Sequence, residues 1–218
     1  MMLVIGLTGS MGMGKSAVAA MIRDAGVAVF DADAEVHQLY ENDALPLIEV
    51  AFPGTAAAGT VDRAKLGAEL AKDPAGFKRL EAIVHPLVQA SERRFLQEQQ
   101  KSGAWAAVLE VPLLYETGGD AKVDVVIVVS APPEIQRARV LARPGMTEAR
   151  FEQLNARQLA DAEKRRRAHF VVDTGVSLNE TRASLAIILD TLKAEVRSGR
   201  AGTALRQHWS ALGGAKTE

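Results

Sequence analysis

Five short apolar runs are spread along the chain, and each has the length of a β-strand. They cover residues 3–7, 27–30, 106–111, 123–129 and 169–173. Continuous apolar runs of this length are typical of strands buried on both faces, as in parallel sheets. The run at 123–129 is the most apolar, and its valines favour a central position in the sheet. The pattern therefore predicts a protein of the α/β class with five strands.

Two helices are predicted directly beside these strands. Residues 16–25 have helical spacing after the first strand, and Gly26 is placed to end that helix. Residues 178–196 carry apolar side chains at intervals of three and four after the fifth strand. We expect this last helix to close the core.

Two longer stretches are also helical in pattern. Residues 34–102 show no strand-like alternation and are broken by prolines and glycines, so we interpret them as an inserted helical subdomain. Within that stretch Pro86 is expected to kink or restart a helix. Residues 134–167 predict two helices separated at Pro144-Gly145, which would form a helix–turn–helix flap.

Composition narrows the class of protein. The chain has 218 residues, 48% of them hydrophobic and 24% charged, which is typical of a globular protein with one good core. A formal net charge of −1 gives no basic field, so nucleic acid is not an expected partner. The absence of cysteine excludes disulfides and thiolate chemistry. The apolar N-terminal run is too short for a membrane span and lacks signal-peptide flanks, which predicts a cytoplasmic protein without a membrane partner.

The residues from Gly9 to Ser16, GSMGMGKS, match the pattern G-x-x-x-x-G-K-[ST] of a phosphate-binding loop, or P-loop. Glycines are needed because the chain turns successive N–H groups toward the phosphates in dihedrals that a side chain hinders. Lys15 can reach the outer phosphates, and the Ser16 hydroxyl is placed to hold Mg²⁺. A strand before the loop and a helix N-terminus after it complete the context. The alternative is a glycine-rich turn that binds nothing. The predicted ATP contacts are Gly9, Met11, Gly12, Met13, Gly14, Lys15, Ser16 and Ala17.

Acidic residues follow the second predicted strand and end the third. Asp31 and Asp33 lie at the carboxyl end of the second strand, the edge at which open parallel sheets bind ligands. One of the two is expected to cap the next helix, and Asp33 is the candidate for chemistry. Glu110, near the end of an apolar strand, needs a partner for its charge. It is predicted to position magnesium, directly or through water, and the alternative is a salt bridge to an arginine of the flap.

The segment from 134 to 167 is rich in arginine. Such a run can be a solvated helical face, and even an RNA-binding one. Beside a triphosphate site we interpret it as a lid that closes over the transferring phosphoryl group. His85, before Pro86, could face an acceptor or be structural. The arginines of the lid are Arg137, Arg139, Arg143, Arg150, Arg157, Arg165, Arg166 and Arg167.

Over most of residues 3–190 the chain resembles the dephospho-CoA kinase family, a P-loop kinase family of the nucleoside-monophosphate-kinase-like group. Three residues depart from that family's usual pattern. Ala17 stands where threonine is frequent, Glu110 where aspartate is usual and Thr174 where asparagine is usual. Beyond the P-loop, the resemblance rests on Gly6-Leu7-Thr8-Gly9, Asp31-Ala32-Asp33, Val61-Asp62-Arg63 with Leu66, Leu80, Ile83, His85-Pro86, Pro112-Leu113-Leu114-Tyr115-Glu116, Arg139 with Arg143, and Val172-Asp173-Thr174-Gly175.

The resemblance implies a P-loop NTPase fold, with a five-stranded parallel sheet in the order 2-3-1-4-5 and helices on both faces. It also implies a division of labour along the chain. The expected regions are a nucleotide-binding core (1–33, 104–136 and 168–198), a helical acceptor-binding subdomain (34–103), an arginine-rich lid (137–167) and a C-terminal tail (199–218).

The function implied by the resemblance is transfer of the ATP γ-phosphoryl group to the ribose 3′-hydroxyl of dephospho-CoA, giving CoA and ADP. Asp33 would orient and deprotonate that hydroxyl, while Lys15 and Ser16-bound magnesium would neutralise the phosphates. Arg143, with Arg139, would close over them from the lid. On the acceptor side the expected residues, besides Asp33, are Thr8, His85 and Tyr115.

Two other functions fit parts of the sequence. Another P-loop kinase, for a nucleoside monophosphate or a sugar acid, would share the loop and lid but differ in the helical insertion. A GTPase switch would need a guanine-reading N-K-x-D-like segment, which the sequence lacks. The sequence makes no prediction of the oligomeric state.

Overall fold

A computed structural model describes residues 2–73 and 75–199 of the chain. The predicted tail lies outside the described residues, except for Gly199. The described chain forms two compact units. One comprises residues 2–29 and 99–199, and the other Phe30–Glu98.

The first unit contains the sheet and the helices around it, with β2 and α5 continuing into the second unit. Its elements in chain order are β1 (Leu3–Thr8), α1 (Lys15–Asp24), β2 (Ala28–Asp31), β5 (Ala106–Glu110), a 3₁₀ helix (Gly119–Lys122), β6 (Val125–Ser130), α6 (Pro133–Leu141), α7 (Glu148–Asn155), α8 (Asp161–Arg167), β7 (Phe170–Asp173) and α9 (Leu178–Arg197). The elements of the second unit are α2 (Ala32–Glu41), α3 (Ala44–Ala51), β3 (Ala56–Ala57), β4 (Thr60–Val61), α4 (Arg63–Lys72) and α5 (Gly76–Lys101).

The main sheet has the order β2-β5-β1-β6-β7. Counted over its own five strands this is 2-3-1-4-5, so the predicted parallel sheet and its order are confirmed. In the register of β1 with β5, Leu7 lies opposite Glu110. Every residue of β6 is buried, which agrees with the expected central position of the valine run. The strand-to-helix turn after β1 therefore lies in the middle of the sheet.

The core of the first unit forms between one face of the sheet and two helices. Leu3, Ile5 and Leu7 of β1 are fully buried against apolar side chains of α1 and α9. Burial of each such side chain contributes about 1.5–3 kcal/mol, which fixes α1 firmly on the sheet. Helix α9 begins with a capping box between Ser177 and Glu180. The P-loop thus joins a buried strand to a packed helix, and both its ends are held.

The second unit is not entirely helical, so the prediction of a helical stretch without strands was wrong in one place. Strands β3 and β4 pair as a small antiparallel hairpin. Ala58 and Gly59, which lie between these strands, both have positive φ, 49° and 82°, as in the two-residue turns that connect the strands of tight hairpins. The alanine-rich sequence hides this turn, because only Gly59 has the residue type that such turns favour.

Pro86 does not restart a helix. Helix α5 runs without interruption from Gly76 to Lys101, with Pro86 inside it. The lost backbone hydrogen bond is offset by apolar packing on both sides of the proline, because Val84 is buried in the unit's core and Leu80 and Leu87 pack against it. His85 lies on an exposed part of this continuous helix.

The arginine-rich segment contains three helices, one more than predicted. Helices α6 and α7 are separated around Pro144-Gly145 as expected, but a second break at 156–160 precedes α8. Two groups at this break have tertiary partners. The Gln158 side chain accepts from the Met11 N–H, and the Leu159 N–H donates to Glu116. No helix among residues 2–73 and 75–199 has the length and apolarity of a membrane span.

Candidate active site

The glycines of the P-loop are required by its close packing against neighbouring elements. A Cβ on Gly9 would lie 2.6 Å from the Val129 carbonyl oxygen, and one on Gly12 would lie 2.5 Å from a methyl of Val140. Gly12 also has φ of 80°, which L-residues rarely adopt. The loop therefore packs closely against the end of β6 and against α6, and a side chain at Gly9 or Gly12 would displace it.

Unpaired backbone donors gather where the loop enters α1. The N-cap of the helix is Gly14, in the left-handed conformation, and no side chain caps the first turn. Within the part of the chain that the structure describes, the N–H groups of Gly14, Lys15 and Ser16 donate to no protein acceptor. Free amides at a helix N-terminus, together with the helix dipole, form a binding site for a phosphate. Ser16 and Ala17 are exposed beside them.

A buried carboxylate holds the P-loop lysine. Lys15 Nζ lies 2.6 Å from Oε1 of Glu110, whose side chain is 1% exposed. A guanidinium nitrogen of Arg23 lies 3.6 Å from Oε2. That oxygen is buried and accepts no hydrogen bond from the described residues. The partners of Glu110 are thus the P-loop lysine and an arginine of α1, and the alternative of a lid arginine is not what the structure shows.

Two glutamines grip the peptide groups on either side of Met11. Oε1 of Gln158 accepts from the Met11 N–H at 2.9 Å. Nε2 of Gln136, a buried side chain of α6, donates to the Met11 carbonyl at 2.8 Å. Each hydrogen bond contributes about 0.5–1.5 kcal/mol to stability and also fixes the orientation of the peptide group that it contacts. The apex of the P-loop is therefore tied to two parts of the arginine-rich segment.

Thr174, one of the departures from the family pattern, links the P-loop to Arg139. Its buried hydroxyl lies 2.7 Å from the Met13 carbonyl and 3.3 Å from that of Ser130. The Arg139 guanidinium donates to the Thr174 hydroxyl at 3.2 Å and to its carbonyl at 2.7 Å. In the structure Arg139 thus holds the turn after β7, so its predicted place on the transferring phosphate remains a prediction.

The loop after β5 is anchored by a fully buried lysine. Lys164 of α8 is 0% exposed, and its Nζ lies 2.8 Å from Glu116 Oε1 and 3.3 Å from the Pro112 carbonyl. Glu116 also accepts from the Leu159 N–H. The hydroxyl of Thr8, itself fully buried, donates to the same Pro112 carbonyl at 3.1 Å. One network therefore joins the end of β1, the loop after β5 and the base of the predicted lid.

The geometry of this network shifts the pKa of Glu116. Partial burial would raise the pKa of its carboxyl, but hydrogen bonds from Lys164 and the Leu159 N–H outweigh burial and hold it below the ordinary value. Tyr115 shows the opposite direction. Its pKa is raised, chiefly because the phenol is buried. Its ring lies under Arg167, at 4.2 Å, and its hydroxyl finds no hydrogen-bond partner in the described chain.

In the second unit, the structure separates the duties of two aspartates. Asp31 is the N-cap of α2, and its side chain accepts from the Ala34 N–H at 3.0 Å. Asp33, in the first turn of the same helix, is exposed and has no bonded partner within the described residues. Asp31 is therefore the aspartate that caps the helix, and the Asp33 carboxylate remains available to contact a ligand.

Arg143 is an exposed cation just after the C-terminal end of α6. Its backbone N–H donates to the Val140 carbonyl, whereas its guanidinium has no ion-pair partner in the described chain. Arg137, which lies within α6, is instead paired with Glu148 of α7. Unlike Arg137, Arg143 therefore carries a charge that no protein carboxylate neutralises in the described chain.

A P-loop at the end of the middle strand of a five-stranded parallel sheet, followed by arginine-bearing helices, defines a P-loop kinase. The family model of dephospho-CoA kinase matches residues 3–180. The chain belongs to the dephospho-CoA kinase family.

Individual relatives agree with this family. The chain is 57% identical over 188 residues to a dephospho-CoA kinase of Rhodopseudomonas palustris, covering 86% of this chain and 94% of that protein. A solved Thermus thermophilus structure is 36% identical, with a TM-score of 0.74, over 88% of this chain and 98% of the other. The dephospho-CoA kinase of Campylobacter jejuni is 25% identical, with a TM-score of 0.68, over 91% and 99%.

Several residues that organise the site are not evident from sequence patterns. Lys164 lies in a run of basic residues, and nothing in the pattern separates it from its exposed neighbours Arg165 and Arg166. Gln136 and Gln158 are neutral side chains on helix-rich sequence, and their role depends entirely on tertiary contacts. Charge and motif spacing predict residues that act on ligands, whereas these three side chains hold other parts of the protein in place.

Proposed function

We propose that this chain transfers the γ-phosphoryl group of ATP to the ribose 3′-hydroxyl of dephospho-CoA, giving CoA and ADP, the final step of coenzyme A biosynthesis. The observation that supports phosphoryl chemistry most directly is the set of free amides at Gly14, Lys15 and Ser16 beside a lysine. Family membership supports the choice of acceptor. From its family membership we also propose that it acts in the cytoplasm, on a small molecule and not on nucleic acid.

In this proposal Asp33 is the general base. Asp31 caps α2, so the Asp33 carboxylate is free to accept the proton of the acceptor hydroxyl. A carboxylate suits a neutral hydroxyl, whereas it would repel the anionic phosphate acceptor of a nucleoside-monophosphate kinase. Lys15 and the P-loop amides would hold the phosphates, and Arg143 would meet the charge that develops during transfer. His85, Thr8 and Tyr115 remain predicted residues of the acceptor side.

Magnesium fits the residues at the start of α1. The Ser16 hydroxyl is exposed there, and the buried Oε2 of Glu110 has no hydrogen-bond donor in the described chain. Both are hard oxygen ligands of the type Mg²⁺ takes. Residues 2–73 and 75–199 hold no cluster of three or more histidines or carboxylates that could bind a metal ion. We propose that Ser16 would hold the ion, with Glu110 acting through water, and that the ion would supply charge neutralisation.

An acceptor screen tests the proposal. With ATP and magnesium, we expect ADP release, followed by a coupled assay, to be fast with dephospho-CoA and slow with AMP, CMP, UMP, shikimate or gluconate. Adenosine keeps a ribose hydroxyl but lacks the pantetheine arm, so it should react weakly because remote binding energy is lost. Faster reaction with a monophosphate or a sugar acid would reject the acceptor and leave the P-loop kinase class standing.

Arg143→Ala should slow turnover by about 10–100-fold while changing the Kd of ATP much less, because the guanidinium meets charge that is largest in the transition state. Steady-state kinetics and equilibrium ATP binding measure the two effects separately. Arg150→Ala provides the control, since Arg150 is a similarly exposed arginine on α7. Equal losses in turnover and ATP binding, or equal effects of the two variants, would place Arg143 on a solvated face.

A further inference from the structure

Glu110 and Lys15 form an ion pair that nucleotide binding must disturb. Lys15 Nζ lies 2.6 Å from a carboxylate that is 1% exposed. This inference rests on the proposed function, in which the ammonium group of Lys15 interacts with the nucleotide phosphates in part or entirely instead of with Glu110. A buried carboxylate that loses its counter-charge is strongly unfavourable, because the cost of removing it from water is no longer offset. The free energy of nucleotide binding therefore depends on what else neutralises Glu110.

Arg23 is placed to do so. It lies on α1, two helical turns after Lys15, and its guanidinium approaches the other oxygen of Glu110 at 3.6 Å. Within the described chain, Lys15 and Arg23 are the two cations in ion-pair distance of this carboxylate. The Arg23 side chain is 45% exposed, so water screens it partly and it can shorten its approach without unpacking the core.

The two cations differ in what a phosphate can do to them. Lys15 stands at the N-terminus of α1 among the free amides, whereas Arg23 is in the last turn of that helix. A ten-residue helix is about 15 Å long, so a phosphate at its N-terminus engages Lys15 and leaves Arg23 on Glu110. Arg23 also stands where the helix dipole favours a cation.

We propose that Arg23 is a positioning residue for nucleotide binding. Its guanidinium neutralises the Glu110 carboxylate when Lys15 binds the phosphates. Without Arg23, Glu110 would compete with the nucleotide for Lys15. Magnesium beside the phosphates would share the task, because its charge also acts on Glu110. The contribution of Arg23 should therefore be largest when magnesium is absent.

Equilibrium binding of ADP to the full chain, with and without magnesium, tests the inference. For Arg23→Gln we expect the Kd of ADP to rise about 5–20-fold in EDTA and about twofold or less with excess magnesium, as for a partly screened charge pair. Arg23→Lys keeps the charge and should restore most of the affinity. Arg182→Gln removes an exposed arginine that is paired with Asp24, and it should leave both Kd values nearly unchanged.

A double-mutant cycle separates this role from a structural one. In a Glu110→Gln background no charge competes for Lys15, so Arg23→Gln should change the magnesium-free Kd by less than about twofold. A general effect on α1 would instead persist in that background and be equal with and without magnesium, and either result would overturn the inference. If the wild-type chain binds ADP but Arg23→Gln binds it equally well in EDTA, the inference fails and the proposed function stands. If the wild-type chain binds no nucleotide, both fail.

Discussion

Asp33→Asn should slow turnover by about 10²–10⁴-fold while leaving the Kd of ATP nearly unchanged, because asparagine keeps the shape of the side chain but cannot take the acceptor's proton. Steady-state turnover with dephospho-CoA and equilibrium ATP binding are the two measurements. The loss should appear in turnover, since a base acts in the transition state and contributes little to holding ATP.

Asp31→Asn is the matched control for this variant. The same chemical change is made two residues earlier, at the N-cap of α2, where asparagine is as good a cap as aspartate. We expect nearly normal turnover. Normal turnover of both variants would reduce Asp33 to a residue of the helix surface, and an equal loss in both would point to the local charge of this turn instead of a base.

Glu116→Ala should lower the free energy of unfolding by about 2–4 kcal/mol, because it leaves the fully buried ammonium of Lys164 with the Pro112 carbonyl as its remaining partner in the described chain. Urea unfolding measures the change. Glu163→Ala on the same helix removes a partly exposed carboxylate that is paired with Arg166, and it should have little effect. The double variant Glu116→Leu with Lys164→Met should recover much of the loss, since an apolar pair leaves no buried charge. No recovery would show that the pair is not the cause.

The same pair has a pH dependence whose sign is fixed by the pKa of Glu116. Because the folded-state pKa lies below that of the unfolded chain, the carboxylate stabilises the fold above the unfolded value. That contribution is lost as pH falls through the folded pKa. The difference in stability between wild type and Glu116→Ala should therefore be full above about pH 5 and shrink below about pH 4. A difference that grows on acidification would contradict the assignment.

Local pattern was sufficient for much of this fold. Runs of apolar residues located all five strands of the sheet, and the spacing of Gly9, Gly14, Lys15 and Ser16 located the phosphate loop. The order of the strands came from the resemblance to a family, because pairing between strands far apart in sequence leaves no mark on either one alone. The sheet order then explains why Glu110 faces the P-loop: β5 is the neighbour of β1.

The hairpin at Ala58-Gly59 and the unbroken helix through Pro86 were not predictable from local preference. Alanine rarely adopts positive φ, and proline usually ends a helix, yet both tendencies amount to a few kcal/mol that tertiary packing can exceed. Lys164 shows the same limit for the site. A lysine among arginines predicts an exposed cation, and only the position of Glu116 on another element makes a buried one possible.

The hydrogen bonds of Gln136 and Gln158 with Met11, and the packing of Gly12 against Val140, bear on the affinity of the P-loop for a nucleotide. A glycine-rich loop left to itself samples many conformations, and ordering it would subtract from the affinity of any ligand. Here hydrogen bonds with two side chains of the arginine-rich segment hold the apex of the loop, so part of that ordering comes from the fold of the protein itself. These contacts preorganise the loop, so part of the entropy cost of shaping it is met on folding and not on binding.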